Sequence, residues 1–142
     1  MSSKSKTMVE VSIDYKGDLH CEASHGPSGA RVETDAPVDN QGRGESFSPT
    51  DLIATALGTC MATIMGITAD RKELSLEGLR IQVQKEMSSD LPRRIVRLPV
   101  TISVPLAGSH PSRKVLEAAA LSCPVMESIH PDIEVPVTWT WL

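Results

Sequence analysis

Aromatic side chains are scarce in this chain of 142 residues. Phe, Trp and Tyr make up 3% of the residues, whereas apolar residues of all kinds make up 40%. A chain of this length has the size of one domain and can bury a modest core. That core must therefore consist of Ile, Leu, Val, Met and Ala. We expect residues 8–142 to form a single domain and the polar residues 1–7 to be a disordered tail.

Several classes of protein are disfavoured by what the sequence lacks. The net charge of -4 provides no basic excess for binding nucleic acid or an anionic membrane surface. No run of apolar residues approaches 18, so we expect no membrane span. The charged N-terminus has no apolar segment behind it, which disfavours a signal peptide. These absences predict a cytoplasmic protein with neither nucleic acid nor membrane as a partner.

The cysteines and histidines show neither a disulfide framework nor metal-ligand spacing. The three cysteines, Cys21, Cys60 and Cys123, are odd in number and form no C-x-x-C pair. That pattern disfavours a secreted, disulfide-stapled domain. The four histidines are scattered along the chain. We therefore expect no metal and no other cofactor.

Residue periodicity predicts an α+β protein with antiparallel sheets. Residues 8–15 alternate between apolar and polar, and two turns then separate short strands at 19–24 and 30–34. Residues 79–86 and 96–104 alternate in the same way and predict a long hairpin, and residues 133–141 predict a final strand. With three intervening helices, the predicted order is β-β-β-α-β-β-α-α-β.

The first helix is predicted from its start signal and its apolar spacing. Ser48, Pro49 and Asp51 have the form of a capping box with proline at the first helical position. The helix should run to about Lys72. Apolar residues recur at spacings of four and three and predict the buried face: Ile53, Leu57, Cys60, Ile64 and Ile67. Four more apolar residues widen this stripe: Leu52, Ala56, Met61 and Met65. A helix this apolar should be central and buried.

Cys123 is predicted to cap a short helix. A second helix opens at Pro111 with a buried face of Val115, Leu116, Ala119 and Ala120, and it must stop near Ser122 because Pro124 cannot continue it. Pro124 can instead begin a third helix, reaching about residue 129. The Cys123 sulfur would then face unpaired backbone N–H groups, which favour a thiolate. A neutral cap packed between two helices is an equally good interpretation.

Cys60 has two interpretations. Most buried cysteines are inert core residues. If Cys60 is reactive, its thiolate needs a cation from outside its own helix. It lies eleven residues after Pro49, or roughly 16 Å along the helix axis, where the helix dipole has faded. Cys21 has no activating neighbour except His20, and we interpret it as a packing residue.

Two segments resemble the cysteine segments of the OsmC/Ohr (organic hydroperoxide resistance) family. Residues 48–60, SPTDLIATALGTC, have the Pro and acidic residue that open the helix and the small residues that lead into the first cysteine. Residues 118–125, AAALSCPV, place the second cysteine before a proline. The predicted order of elements also matches the family along almost the whole chain.

The resemblance implies a fold and an activity. It implies an OsmC-like fold in an intertwined homodimer, with long central helices wrapped by sheets from both subunits and active sites at the interface. It also implies a thiol peroxidase of oxidative-stress defence, in which the Cys60 thiolate cleaves the O–O bond of an organic hydroperoxide. The resulting sulfenic acid condenses with Cys123 to a disulfide. A dithiol or a lipoylated protein then reduces this disulfide.

The sequence departs from the family's peroxidase branches near the first cysteine. Those branches have Glu ten residues before it, where this chain has Thr50, followed by Asp51. The candidates for the activating Arg of those branches are Arg31 first and Arg43 second. Glu45 could supply the missing carboxylate. Solvated surface charge is the alternative for all three. These departures indicate a less characterised OsmC-like branch and leave a second function open. That function is a binding protein for a small hydrophobic ligand, with inert or redox-sensing cysteines.

A homodimer is the first testable prediction. Few aromatic residues and a helix that is apolar on most of its faces indicate that one chain cannot cover its own core. Sedimentation at micromolar concentration should give about twice the chain mass of 15.3 kDa. A well-folded monomer at that concentration would contradict the intertwined fold.

Overall fold

The computed structural model describes residues 8–142, so the predicted tail at residues 1–7 lies outside the described part. Contacts divide the chain into two compact units, one ending at Pro49 and one running from Thr50 to Leu142. Both helices and strands are present, which confirms the α+β class. The single-domain organisation stays a prediction.

The N-terminal unit is an antiparallel meander, as the sequence predicts. Its strands are β1 (Val11–Gly17), β2 (His20–His25) and β3 (Arg31–Asp35), in that order across the sheet. The turn between β1 and β2 uses Gly17, Asp18 and Leu19, all at positive φ. Gly17 is at φ +89°, a conformation that glycine adopts without steric cost. A 3-10 helix (Val38–Asn40) follows in the loop before residue 49.

The two faces of this meander differ in chemistry. On one face, β1 and β3 present large apolar side chains that remain exposed in the single chain: Val11, Ile13, Tyr15 and Val32. The sequence predicts a half-buried β1, and the structure instead leaves the strand exposed on both faces. On the other face, His20 lies between Asp35 (Nδ1 to Oδ1, 2.6 Å) and Glu33 (Nε2 to Oε1, 2.9 Å). These two carboxylates raise the pKa of His20 above 6.5, with Asp35 the larger cause.

The C-terminal unit begins with the predicted long helix, α1 (Pro49–Arg71). Two short helices follow later, α2 (Arg113–Leu121) and α3 (Pro124–Ser128). The strands are β4 (Arg80–Val83), β5 (Glu86–Met87), β6 (Ile95–Arg97), β7 (Val100–Val104) and β8 (Val137–Trp141). The core lies between α1, α2 and the sheet β4-β7-β8.

The sheets of this unit differ from the prediction in two ways. Each arm of the predicted hairpin is divided into two short strands, so β4 pairs with β7 and β5 with β6. The break in the second arm falls at Pro99, which has no N–H to donate. The expectation of antiparallel sheets throughout is also corrected, because β8 lies parallel to β7. α2 and α3 supply the long connection that a parallel neighbour requires.

The buried face of α1 is rotated from the predicted one. The residues buried in the core are Ala54, Leu57, Gly58, Met61, Met65 and Ala69. Ile53 and Ile67, predicted to be buried, are 39% and 43% exposed. Small residues face the sheet because the helix approaches it closely: a Cβ added at Gly58 would lie 3.0 Å from a methyl carbon of Val83. Similarly, Val115 of α2 is exposed although Leu116 and Ala120 are buried as predicted.

α1 is also long and apolar enough to cross a membrane by length and composition alone. The core helix of a soluble protein passes the same test, so the expectation of no membrane span is not contradicted. One third of its most apolar window is buried in the chain. The remaining apolar surface of α1 needs some other cover.

Candidate functional site

Cys60 lies in the middle of α1, at the edge of the helix's buried face. It is half-buried and packs against the core. Its neighbours at spacings of seven along the same side of the helix are Ile53 and Ile67, the two exposed isoleucines. Cys60 therefore has a core-facing side and a side that is open in the single chain.

Cys123 occupies the predicted N-cap position of α3. Its backbone is extended (φ -67°, ψ 149°), Pro124 begins the helix, and the Cys123 sulfur accepts a hydrogen bond from the Met126 N–H at 3.4 Å. The thiol is fully buried, with 0% of the residue exposed. The prediction that Cys123 lies at a helix start is confirmed.

The fold places the Cys60 thiol beside the Cys123 thiol, and both are free thiols. The pKa of Cys123 is raised, chiefly because burial disfavours the charged thiolate. Hydrogen bonds from the Met126 and Val125 N–H groups lower this pKa without offsetting burial, and the bond with Cys60 raises it further. Of the two interpretations of Cys123, the geometry favours the neutral cap.

A contacting thiol pair of this kind can perform reversible redox chemistry. Oxidation of one sulfur to a sulfenic acid places it beside a thiol that can condense with it to a disulfide. Of the two sulfurs, Cys60 is the less buried. The third cysteine, Cys21, belongs to β2 of the N-terminal unit.

The predicted charged partners, Arg31, Arg43 and Glu45, belong to the N-terminal unit. Arg31 is 67% exposed on its side chain and lies 3.7 Å from Glu22 (Nη1 to Oε1). Arg43 lies 3.2 Å from Asp18 (Nη2 to Oδ2), and Glu45 is exposed. Within this unit both arginines have carboxylate neighbours. Their roles at the thiols stay predictions.

A lysine that the sequence analysis did not identify lies beside the start of α1. The Lys85 ammonium lies 2.8 Å from Asp51 Oδ1 and donates to Thr50 Oγ1 at 2.8 Å. Its side chain is only 16% exposed. One signal could have found it: Lys85 continues the inward-facing alternation of Ile81 and Val83, where a charge needs a buried partner. Thr50, where the resemblance predicts a glutamate, and the neighbouring Asp51 are thus both bound by one lysine.

A cavity of about 490 Å³ lies beside the same end of α1. Aliphatic and polar residues contribute equally to its lining, which is Thr50, Ile53, Arg94, Ile95, Val96, Ser128, Ile129, His130, Asp132 and Ile133. Ile53 lies seven residues before Cys60, or roughly 10 Å along the helix. The cavity could hold a small apolar group. Within residues 8–142, no cluster of His, Cys, Asp and Glu could hold a metal ion.

The family follows from a comparison with known proteins. A family model described as OsmC-like protein matches residues 42–138, more than half of the chain. The chain therefore belongs to the OsmC-like family, which confirms the resemblance inferred from the cysteine segments. No curated protein matches the sequence closely enough to count as a relative.

Solved structures agree with this assignment. A Psychrobacter arcticus protein, named for osmotic stress induction and a detoxification response, is 39% identical, with 100% of each chain covered and a TM-score of 0.83. An organic hydroperoxide resistance protein from Elizabethkingia anophelis is 13% identical, with 98% of this chain and 99% of that chain covered and a TM-score of 0.77. The Legionella pneumophila OsmC, named as an organic hydroperoxide resistance and predicted redox protein, is 16% identical, with 96% and 99% covered and a TM-score of 0.72. The latter two share the fold.

The raised pKa of Cys123 can be tested by alkylation. In a Cys21→Ser background, the rate of Cys123 alkylation by iodoacetamide should rise with pH to a midpoint above that of an exposed thiol. Cys60→Ala should lower this midpoint, because it removes a hydrogen bond that raises the pKa of Cys123. The midpoint should remain elevated, since burial, the larger cause, persists.

Ser128→Ala is a matched control for this measurement, because Ser128 is exposed on the same helix and its hydroxyl donates to the Pro124 carbonyl. It should leave the midpoint unchanged. A midpoint that Cys60→Ala does not move would show that the two thiols are not coupled as the structure describes.

Proposed function

We propose that this protein is a thiol-dependent peroxidase that reduces organic hydroperoxides. The Cys60 thiolate attacks the peroxide O–O bond, an alcohol leaves, and Cys60 becomes a sulfenic acid. Cys123 then condenses with it, releasing water and forming a disulfide. A dithiol or a lipoylated protein returns the disulfide to two thiols. The enzyme would act in the cytoplasm as an antioxidant in oxidative-stress defence.

The contact between the two thiols carries this proposal. A buried, neutral Cys123 beside a partly open Cys60 provides a resolving thiol that does not compete for the peroxide. The family's peroxide-resistance members support the same chemistry.

A homodimer completes the proposed site. The apolar face of the β1–β3 sheet and the exposed isoleucines of α1 are both uncovered in one chain. A second chain would bury such surfaces, which are costly in water. In the dimer, Arg31 would stabilise the Cys60 thiolate and Glu45 would orient that arginine. Sedimentation tests the assembly, as stated above.

A second candidate function is the binding of a small hydrophobic ligand, and the cavity beside α1 favours it. Five of its ten lining residues are aliphatic, and its volume lies within the range of ligand pockets. In that case the cysteines would be inert or redox-sensing. A stoichiometric thiol assay separates the two functions, because only the peroxidase loses thiols quickly.

The peroxidase proposal predicts the loss of two thiols per chain. One equivalent of cumene hydroperoxide should reduce the titratable thiols of the reduced protein from three to one, because Cys60 and Cys123 form a disulfide and Cys21 does not react. Thiol titration under denaturing conditions measures this loss. A protein that keeps all three thiols would favour the binding function.

Single variants assign the roles. Cys60→Ser should abolish turnover, whereas Cys123→Ser should still undergo one oxidation, to a sulfenic acid that a dimedone probe labels. Cys21→Ser is the matched control and should behave as the wild type. If Cys60→Ser retains full turnover, the assignment of the peroxide-reactive sulfur is wrong.

Arg31→Met should slow the reaction of Cys60. Without the guanidinium the alkylation midpoint should rise, and the thiolate fraction of Cys60 at neutral pH falls roughly tenfold for every pH unit of that rise. Rates of alkylation against pH, in a chain lacking Cys21 and Cys123, measure this effect. Arg43→Met is the matched variant for comparison, because Arg43 is the second candidate for the activating cation. Identical profiles for Arg31→Met and the wild type would exclude Arg31 as the cation.

A further inference from the structure

The two sulfurs differ in how far an incoming molecule can reach them. Cys123 is fully buried, and core side chains and the start of α3 surround it. Cys60 is half-buried on α1, and its open side continues into the exposed Ile53 and Ile67. The proposed peroxidase needs an opening to the Cys60 sulfur even where a second chain covers Ile53 and Ile67, and a thiol can enter by that opening while the chain's own core covers the Cys123 sulfur.

We propose that the reducing dithiol attacks the Cys60 sulfur of the Cys60–Cys123 disulfide, so that Cys123 is the sulfur that leaves. This inference rests on the proposed function, which supplies the disulfide. Which sulfur is attacked depends on access and on the stability of the departing thiolate. Access favours attack at Cys60, whereas the raised pKa of Cys123 makes it a poorer leaving group, so the direction of attack rests on access.

The exchange is balanced as follows. The first thiolate of the dithiol forms a bond to Cys60 Sγ, and the Cys60–Cys123 bond breaks with its electron pair on Cys123. Cys123 then takes up one proton. The second thiolate of the dithiol attacks the dithiol's own sulfur in the mixed disulfide and releases Cys60 as a thiolate. The dithiol is oxidised to a cyclic disulfide and the protein regains two reduced sulfurs.

The surroundings of Cys123 disfavour re-formation of the disulfide once Cys123 has left. The Met126 N–H, 3.4 Å from the sulfur, and the Val125 N–H reduce the cost of negative charge on Cys123 as the bond breaks, without offsetting burial. The raised pKa of Cys123 then favours its protonation. A protonated thiol is a poor nucleophile, so Cys123 seldom re-forms the disulfide before the second thiol of the reductant reacts.

A monothiol trap tests the direction of attack. The Cys21→Ser protein is oxidised with diamide, treated briefly with 2-mercaptoethanol, quenched in acid and alkylated with N-ethylmaleimide. Trypsin separates the two cysteines, because Cys60 lies in the peptide 44–71 and Cys123 in the peptide 115–142. Mass spectrometry should find the mercaptoethanol adduct on Cys60 in roughly tenfold excess, with N-ethylmaleimide on Cys123. As much adduct on Cys123 as on Cys60, or more, overturns the proposal.

Two comparisons make the test specific. In denaturant both sulfurs are accessible, so the excess on Cys60 should disappear. An excess that persists there would overturn the proposal, because burial would not be its cause.

Diamide closes the disulfide without peroxide, so the trap works even if cumene hydroperoxide fails to oxidise the protein and the peroxidase function is wrong. A protein whose thiols diamide cannot join would overturn this inference, while dimedone labelling of Cys60 still decides the peroxidase function.

Discussion

The structure depends on α1, whose apolar surface is larger than the rest of the chain can bury. α1 buries Leu57, Met61 and Met65 against the sheet and leaves Ile53 and Ile67 exposed. Cys60 lies at the boundary between these two sides. Its sulfur can therefore contact the buried Cys123 and still be reached from outside. The same uncovered side is the physical argument for a second chain.

Local signals in the sequence predicted much of this arrangement. Pro49 and Pro124 fix helix starts, because each lacks an N–H and is tolerated in the first turn. The N-cap position of Cys123 follows from Pro124 alone. The cysteine segments also identified the family, which the match over residues 42–138 confirms. Elements with strong start and stop signals were therefore predicted to within a few residues.

Features set by distant parts of the chain were not predictable in this way. The buried face of α1 could not be read from spacing, since Ile53 and Leu57 are equally apolar and only the close approach of Gly58 to the sheet distinguishes the faces. The parallel pairing of β8 with β7 depends on where α2 and α3 return the chain. The binding of Lys85 to Asp51 joins residues 34 positions apart, and the contact of Cys60 with Cys123 joins two helices. Neither contact can be inferred from the local periodicity of the sequence.

The start of α1 determines how the proposed thiolate could be held. The resemblance to the family's peroxidase branches predicts a glutamate at the position of Thr50. Here Thr50 is neutral, and the neighbouring Asp51 carboxylate lies 2.8 Å from the half-buried Lys85 ammonium. A carboxylate held by one cation stabilises a second cation less, because the first partly neutralises its charge. The proposed activation of Cys60 therefore rests on the arginine, with Glu45 as the proposed carboxylate outside the helix. The asymmetry that the structure itself shows is one of burial, because the core encloses Cys123 and leaves Cys60 half-buried.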